Sequence, residues 1–242
     1  METMMVFCPK ELSLSDILLQ GANFMKHEEI KKITVLAMLS ALAYVVVCVA
    51  RIPISTVEFL KYEPKDVIIA IGGFLYGPFA ALLISLVVSF IEMITVSSTG
   101  WVGFLMNVLS TGAFACTAAI VYKKKHTLGG AVLGLILGAL LSSGMMILWN
   151  YLITPLYMGV SRSDVATMLV PVFLPFNLLK SGLNAALTIL IYRPVVQILR
   201  KSRLFPESKH APATNRKYFV WIGASLFLVI CVFVILLLKG II

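Results

Sequence analysis

Three polar side chains inside one long apolar stretch are the residues best placed to do chemistry. Asn177, Lys180 and Asn184 follow one another at i, i+3 and i+7, so a helix carries all three on a single face. A lysine that far into an apolar run is too deep for an ordinary flanking charge. Polar groups in such surroundings usually turn toward protein or a cavity. A stripe that faces a ligand is the favoured reading; a packing or snorkelling role is the other.

Further candidates lie outside that stripe. Asn150 follows Trp149 near the end of an apolar run, and its amide offers donors and acceptors. It reads either as a ligand contact or as an interfacial cap beside a belt aromatic. Asn107 sits mid-run and suits a ligand or a helix–helix hydrogen bond. Glu92 has three open roles: pairing with Lys180, binding a ligand, or reaching interfacial water. The connector Phe59-Leu60-Lys61-Tyr62-Glu63-Pro64-Lys65-Asp66 mixes aromatics with both signs of charge. Lys61 and Glu63 there suit a lid over an outward-facing pocket or a solvated loop, and Asp66 is expected to cap the helix that follows. Ala37 and Ala41 make a flat patch where another helix can dock closely.

Several chemistries lack their motifs. The sequence has no Gly-x-x-x-x-Gly-Lys-Ser/Thr phosphate loop, no His-Glu-x-x-His pair and no Gly-x-Ser-x-Gly turn. Intramembrane carboxylates are too few for a proton relay, and no internal repeat of the secondary-transporter kind is visible. Neither an enzyme nor a resident metal or cofactor is expected. Of the four cysteines, three (Cys48, Cys116 and Cys231) lie in apolar runs and read as core residues, while the three histidines fall in polar connectors.

The elements that must position these groups are membrane helices. The 242 residues are 60% hydrophobic and 13% charged, against about 25% charged in an ordinary soluble domain. Apolar runs cover 33–50, 66–76, 79–96, 101–122, 128–153, 169–199 and 218–238, and about 20 residues suffice to span a bilayer. The second run is short and is tolerable if protein surrounds it. Gly77-Pro78 divides it from the third run, because proline ends a helix. The fifth run is rich in glycine, which lets helices approach closely. The expected fold is an all-α polytopic membrane bundle: a six-helix core over 25–200, a basic linker over 201–217 and a seventh transmembrane helix over 218–242, with 1–24 as a disordered extension. The net charge of +9 sits in short clusters between the runs and carries no nucleic-acid motif. With the N-terminus in the cytoplasm, the inner connectors hold thirteen lysines and arginines and the outer ones four (Arg51, Lys61, Lys65 and Arg162). The positive-inside rule favours that orientation.

Four stretches carry a resemblance to a known family: Ala37-x-x-x-Ala41 after a basic N-terminus; the connector 59–66 leading into Ile71-Gly72-Gly73-Phe74-Leu75-Tyr76-Gly77-Pro78; Asn150-Tyr151-Leu152-Ile153-Thr154-Pro155-Leu156-Tyr157; and Pro175-Phe176-Asn177-Leu178-Leu179-Lys180-Ser181-Gly182 with Tyr192 beyond. Over about 25–200 the chain resembles the substrate-binding components of energy-coupling factor vitamin transporters, and within them the riboflavin-type members. The resemblance implies a plasma-membrane bundle of six helices with the vitamin near the extracellular side. It implies a membrane coupling protein and two cytosolic ABC-type ATPases as partners, with ATP used by those partners alone. It places Asn150, Asn177 and Lys180 at the vitamin and the helix-1 alanines at the coupling protein. The seventh helix departs from the pattern. So does Tyr62-Glu63-Pro64-Lys65-Asp66, which keeps another vitamin (pantothenate, folate, a queuosine precursor) open as cargo beside an ion-coupled transporter.

Overall fold

A computed structural model describes residues 14–53, 60–97, 99–201 and 216–238 of the chain. Residues 1–13 of the expected extension, Phe59 of the connector and most of the basic linker lie outside these. The elements in order are α1 (Leu14–Val49), two-residue strands β1 (Ile52–Pro53) and β2 (Lys61–Tyr62), α2 (Lys65–Tyr76), α3 (Pro78–Thr95), α4 (Gly100–Lys125), α5 (Leu128–Met158), α6 (Arg162–Met168), a π-turn (Leu169–Phe173), α7 (Leu174–Lys201) and α8 (Arg216–Leu238). Segments Glu29–Val49, Pro78–Thr95, Gly100–Lys125, Leu128–Leu156 and Arg162–Tyr192 are long and apolar enough to cross a membrane, and the helical membrane bundle is the architecture expected.

The short helix sits in the middle. Nine residues of α2, Lys65–Val67 and Ile69–Phe74, are buried. Its neighbours α1, α3, α4 and α7 pack around it, and one core joins Leu39, Ile69, Phe74, Ile84, Phe114 and Leu135. Protein therefore replaces lipid around a helix too short to span. The glycines of α5 do what their spacing suggests. A Cβ on Gly138 would lie 2.4 Å from the Phe114 carbonyl oxygen, and one on Gly134 would lie 2.7 Å from that of Ala118. The α4 and α5 backbones thus come together where a side chain would hold them apart.

Three elements differ from expectation. α1 begins at Leu14, within the stretch 1–24 expected to be disordered; helix formers such as Leu18, Leu19 and Gln20 carry the helix ahead of the membrane-length segment Glu29–Val49. α5 runs through Pro155 to Met158, because a proline in the last turn forfeits a single hydrogen bond. Gly159 closes it in the left-handed region at φ 66°, its N–H donating to the Pro155 carbonyl. The sixth run begins earlier than expected, at Arg162, with the Ser161 hydroxyl accepting from the Asp164 N–H. Pro171 and Pro175 are then absorbed by the π-turn, in which the Leu174 N–H reaches back to the Leu169 carbonyl. Widening the turn by one residue accommodates rings that a regular helix would reject.

The seventh helix lies on α7. The Phe227 ring fills the place where a Cβ on Gly182 would stand, 2.9 Å away. Cys231 joins Leu60, Tyr62, Phe173, Phe176 and Leu183 in a second apolar cluster that ties α8 to the connector and to α7.

Candidate binding site

One end of the bundle carries a buried network of charge. Arg51 follows α1, Glu63 and Lys65 flank the start of α2, and Glu92 lies one turn from the end of α3. Arg51 Nε is 2.8 Å from Glu63 Oε1, and Lys65 Nζ is 2.9 Å from Glu63 Oε2. Lys65 also pairs with Glu92, which Arg51 approaches at 3.4 Å. Burial alone would raise the Glu63 carboxyl, but the cations Lys65, Lys180 and Arg51 outweigh it and hold the group at about 2. Glu63 is therefore ionised throughout the neutral range. Antiparallel pairing of Ile52 with Tyr62 and Pro53 with Lys61 holds the connector over this network.

Beside it lies a cavity of about 60 Å³. The connector contributes Leu60, Lys61 and Glu63; α4 contributes Met106, Asn107 and Ser110; α5 contributes Met146; and α7 contributes Phe176, Asn177 and Lys180. The Asn177 amide N–H donates to the Phe173 carbonyl at 2.7 Å. That bond fixes the side chain on the π-turn and leaves its carbonyl oxygen to accept from elsewhere. Lys180 is 9% exposed, and its ammonium makes no ion pair within 4.0 Å among the described residues while its charge still reaches Glu63. The wall thus offers amide donors and acceptors, one cation and one anion between apolar surfaces from Leu60, Met106, Met146 and Phe176.

Five of the eight expected contact residues line this cavity: Lys61, Glu63, Asn107, Asn177 and Lys180. The other three are held elsewhere. Asn184 accepts from the Tyr62 hydroxyl at 3.0 Å and donates to Asp66 Oδ2 at 3.1 Å, tying α7 to the connector and α2. Asn150 donates to the Met146 carbonyl at 2.7 Å and accepts from Thr154 at 2.8 Å, both within α5, and it is buried rather than interfacial. Glu92 is buried against Lys65 instead of meeting Lys180 or water. Asp66 does not cap α2, whose first turn has no side-chain cap. It accepts from the Thr111 hydroxyl at 2.7 Å and so bridges to α4. Burial and the neighbouring Asp66 charge push the Tyr62 phenol up, keeping it a hydrogen-bond donor.

Arg51 and Lys65, both in the count of outer-connector charges, turn inward to this network. A carboxylate such as Glu92 within an apolar run demands a cation, and these two stand nearest in the mixed-charge connector. Phe176, Met106 and Met146 carried no signal, because apolar walls look like core. At the helix-1 patch, Ala37 and Ala41 are both exposed.

Comparison with known proteins bears on the family and the fold. The family model for the ECF transporter, substrate-specific component, matches residues 31–192. The chain is 27% identical over 190 residues to the riboflavin transporter RibU of Staphylococcus aureus (strain TCH60), covering 76% of this chain and 100% of the relative. It is 29% identical over 161 residues to the riboflavin transporter FmnP of Bacillus subtilis (strain 168), covering 63% and 85%. A solved S component of a bacterial ECF transporter superposes with a TM-score of 0.62 at 26% identity, covering 71% of this chain and 98% of its own. The family match over two thirds of the chain and the helical membrane bundle agree, and the chain belongs to the substrate-specific components of ECF transporters.

Proposed function

We propose that this chain binds riboflavin in the cavity beside the charge network and hands it inward as part of an ATP-driven importer. The observation that carries the reading is the convergence of Asn177 and Lys180 with Asn107 and the connector on one cavity. Riboflavin is neutral and flat. Its ring suits apolar walls such as Phe176 and Leu60, its carbonyl and N–H edge suits Asn177 and Lys180, and its ribityl hydroxyls suit mixed donors and acceptors. The relatives described above are riboflavin transporters, which supports the same cargo.

At about 60 Å³ the cavity has room for a few waters, whereas sites for ligands of this size run to roughly 300 Å³ and more. Binding therefore parts the cavity walls, and the connector wall gives way only at the expense of its two-residue ladder, the Glu63 pairs with Arg51 and Lys65 and the Tyr62–Asn184 hydrogen bond. Transport calls on a membrane coupling protein, for which the exposed Ala37–Ala41 face is the docking surface, and on cytosolic ABC-type ATPases, since the chain has no phosphate loop. The orientation has the N-terminus in the cytoplasm and the cavity outside.

The test is direct. The detergent-purified protein is examined for flavin absorbance, and riboflavin is titrated into ligand-free protein while its fluorescence is followed. Saturable quenching at one riboflavin per chain is expected. No quenching, with another vitamin binding in its place, would move the cargo while leaving the family assignment standing.

A further inference from the structure

The stretch Gly73–Gly77, where α2 ends and turns into α3, takes no part in the outer cavity. It lines a second cavity, of about 330 Å³, at the other end of the bundle. Asn107 in the first cavity and Tyr122 in the second are fifteen residues apart on α4, or about 22 Å along the helix.

The composition of this inner cavity is distinctive. Phe74 and Tyr122 form an aromatic wall with ring centroids 4.7 Å apart, and the Tyr122 and Tyr192 hydroxyls meet at 2.7 Å. Lys123 and His126 stand at the rim, with Lys124 and Lys125 alongside on the exposed end of α4. The last turn of α4 is closed by His126 in the left-handed region at φ 46°, where its N–H donates to the Tyr122 carbonyl. A glycine would adopt that conformation more cheaply, but the histidine puts an imidazole 5.8 Å from the Tyr122 ring. On the opposite side, Gly77 turns the chain at φ 92°, and a Cβ there would meet nothing within 4 Å.

An aromatic-walled cavity with a cationic rim at the ends of membrane helices lies at headgroup depth. Basic pockets between transmembrane helices are the sites that hold phosphate-bearing headgroups, and the volume is that of a small-molecule site. We infer that this inner cavity binds the phosphate headgroup of an anionic membrane lipid, with Lys123 and His126 on the phosphate and Phe74 and Tyr122 against the glycerol and upper acyl region. A lipid held there occupies the α2–α3 turn, on the opposite face from the outer cavity, and this assignment is independent of the vitamin.

The test uses the full chain in detergent with short-chain dihexanoyl-phosphatidylglycerol, dihexanoyl-phosphatidylcholine and glycerol phosphate as probes. Binding is read by native mass spectrometry and by the shift in thermal unfolding. Saturable, one-to-one binding of phosphatidylglycerol in preference to phosphatidylcholine is expected, with roughly a tenfold loss of affinity in Lys123→Glu. Lys124→Glu has the same charge change on an exposed residue outside the cavity, and is expected to lose much less. His126→Ala should weaken binding as well and tests the rim without reversing a charge. Equal losses in Lys123→Glu and Lys124→Glu would make the attraction a diffuse surface charge and overturn the site. Equal binding of both lipids would also overturn it. Glycerol phosphate binding as tightly as phosphatidylglycerol would put a soluble phosphate ester there and overturn the lipid assignment.

Discussion

The roles of single residues follow from what each polar group has left to offer. Asn177 commits one of its two amide N–H donors to the Phe173 carbonyl, which leaves its oxygen to accept from the proposed ligand. Lys180 contributes an ammonium to the same cavity wall, close enough for its charge to act on Glu63. Asn177→Ala or Lys180→Ala is expected to weaken riboflavin binding by about 1–3 kcal/mol, the cost of leaving a buried polar partner unsatisfied. Fluorescence titration reads it, and unchanged affinity in both would remove α7 from the pocket. Lys65 is a structural charge of another kind, fully buried between Glu63 and Glu92. Removing one member of such a network strands the others, so Lys65→Met should destabilise by about 3–5 kcal/mol. The double variant Lys65→Met, Glu92→Leu removes a carboxylate along with its cation and should lose less than Lys65→Met alone. Denaturant unfolding in detergent compares them, and simple additivity would mean that the pair is not coupled.

Among the elements, α5 shows most cleanly how sequence became packing. Its glycines were legible as a close-approach surface, and the Gly138 and Gly134 backbones do meet α4. Gly138→Ala would push a methyl into the Phe114 carbonyl, and a backbone atom has no rotamer to retreat into. A loss of about 1–3 kcal/mol or more is expected. Gly144→Ala meets nothing within 4 Å and should be neutral or slightly stabilising through helix propensity. Thermal unfolding of the two variants side by side checks this, and equal effects would refute the contact. The run boundaries of α2 and α3 and the stripe on α7 were readable because hydropathy and period carry them. Pro155 and the π-turn were not, since whether a proline ends a helix or is absorbed depends on the neighbours that hold both sides in place. Charge partners were hidden for a similar reason: Lys65 meets Glu92 through the fold, twenty-seven residues apart in sequence. On α1, Ala37 and Ala41 remain exposed while Val35, Leu39 and Ala43 turn inward. Ala37→Trp should leave riboflavin binding intact and abolish uptake in cells that contain the partner proteins. Surviving uptake would put the docking face elsewhere.

At the scale of the whole molecule, the two cavities lie at opposite ends, and orientation decides which solution each one meets. The end bearing Lys123–Lys125 is the basic end, and Lys31 and Lys32 on α1 add to that side. The opposite end holds Arg51 and Lys65, and both are consumed by the internal network with Glu63 and Glu92. Discounting those two, the outer connectors retain only Lys61 and Arg162 as candidates for surface charge, so the positive-inside asymmetry is stronger than the plain count of thirteen to four. The expected topology has Lys124 inside the cell and Ser161, on the exposed α5–α6 connection, outside. In a background with the four native cysteines replaced, Ser161→Cys should react with a membrane-impermeant maleimide in intact cells, and Lys124→Cys should react only after permeabilisation. The reverse pattern would turn the bundle over, and the cavity with Asn177 and Lys180 would then face the cytoplasm, where an importer has no use for a first binding step. The labelling experiment therefore tests the direction of transport together with the topology, because among the described residues the charge network and the proposed ligand groups share one end.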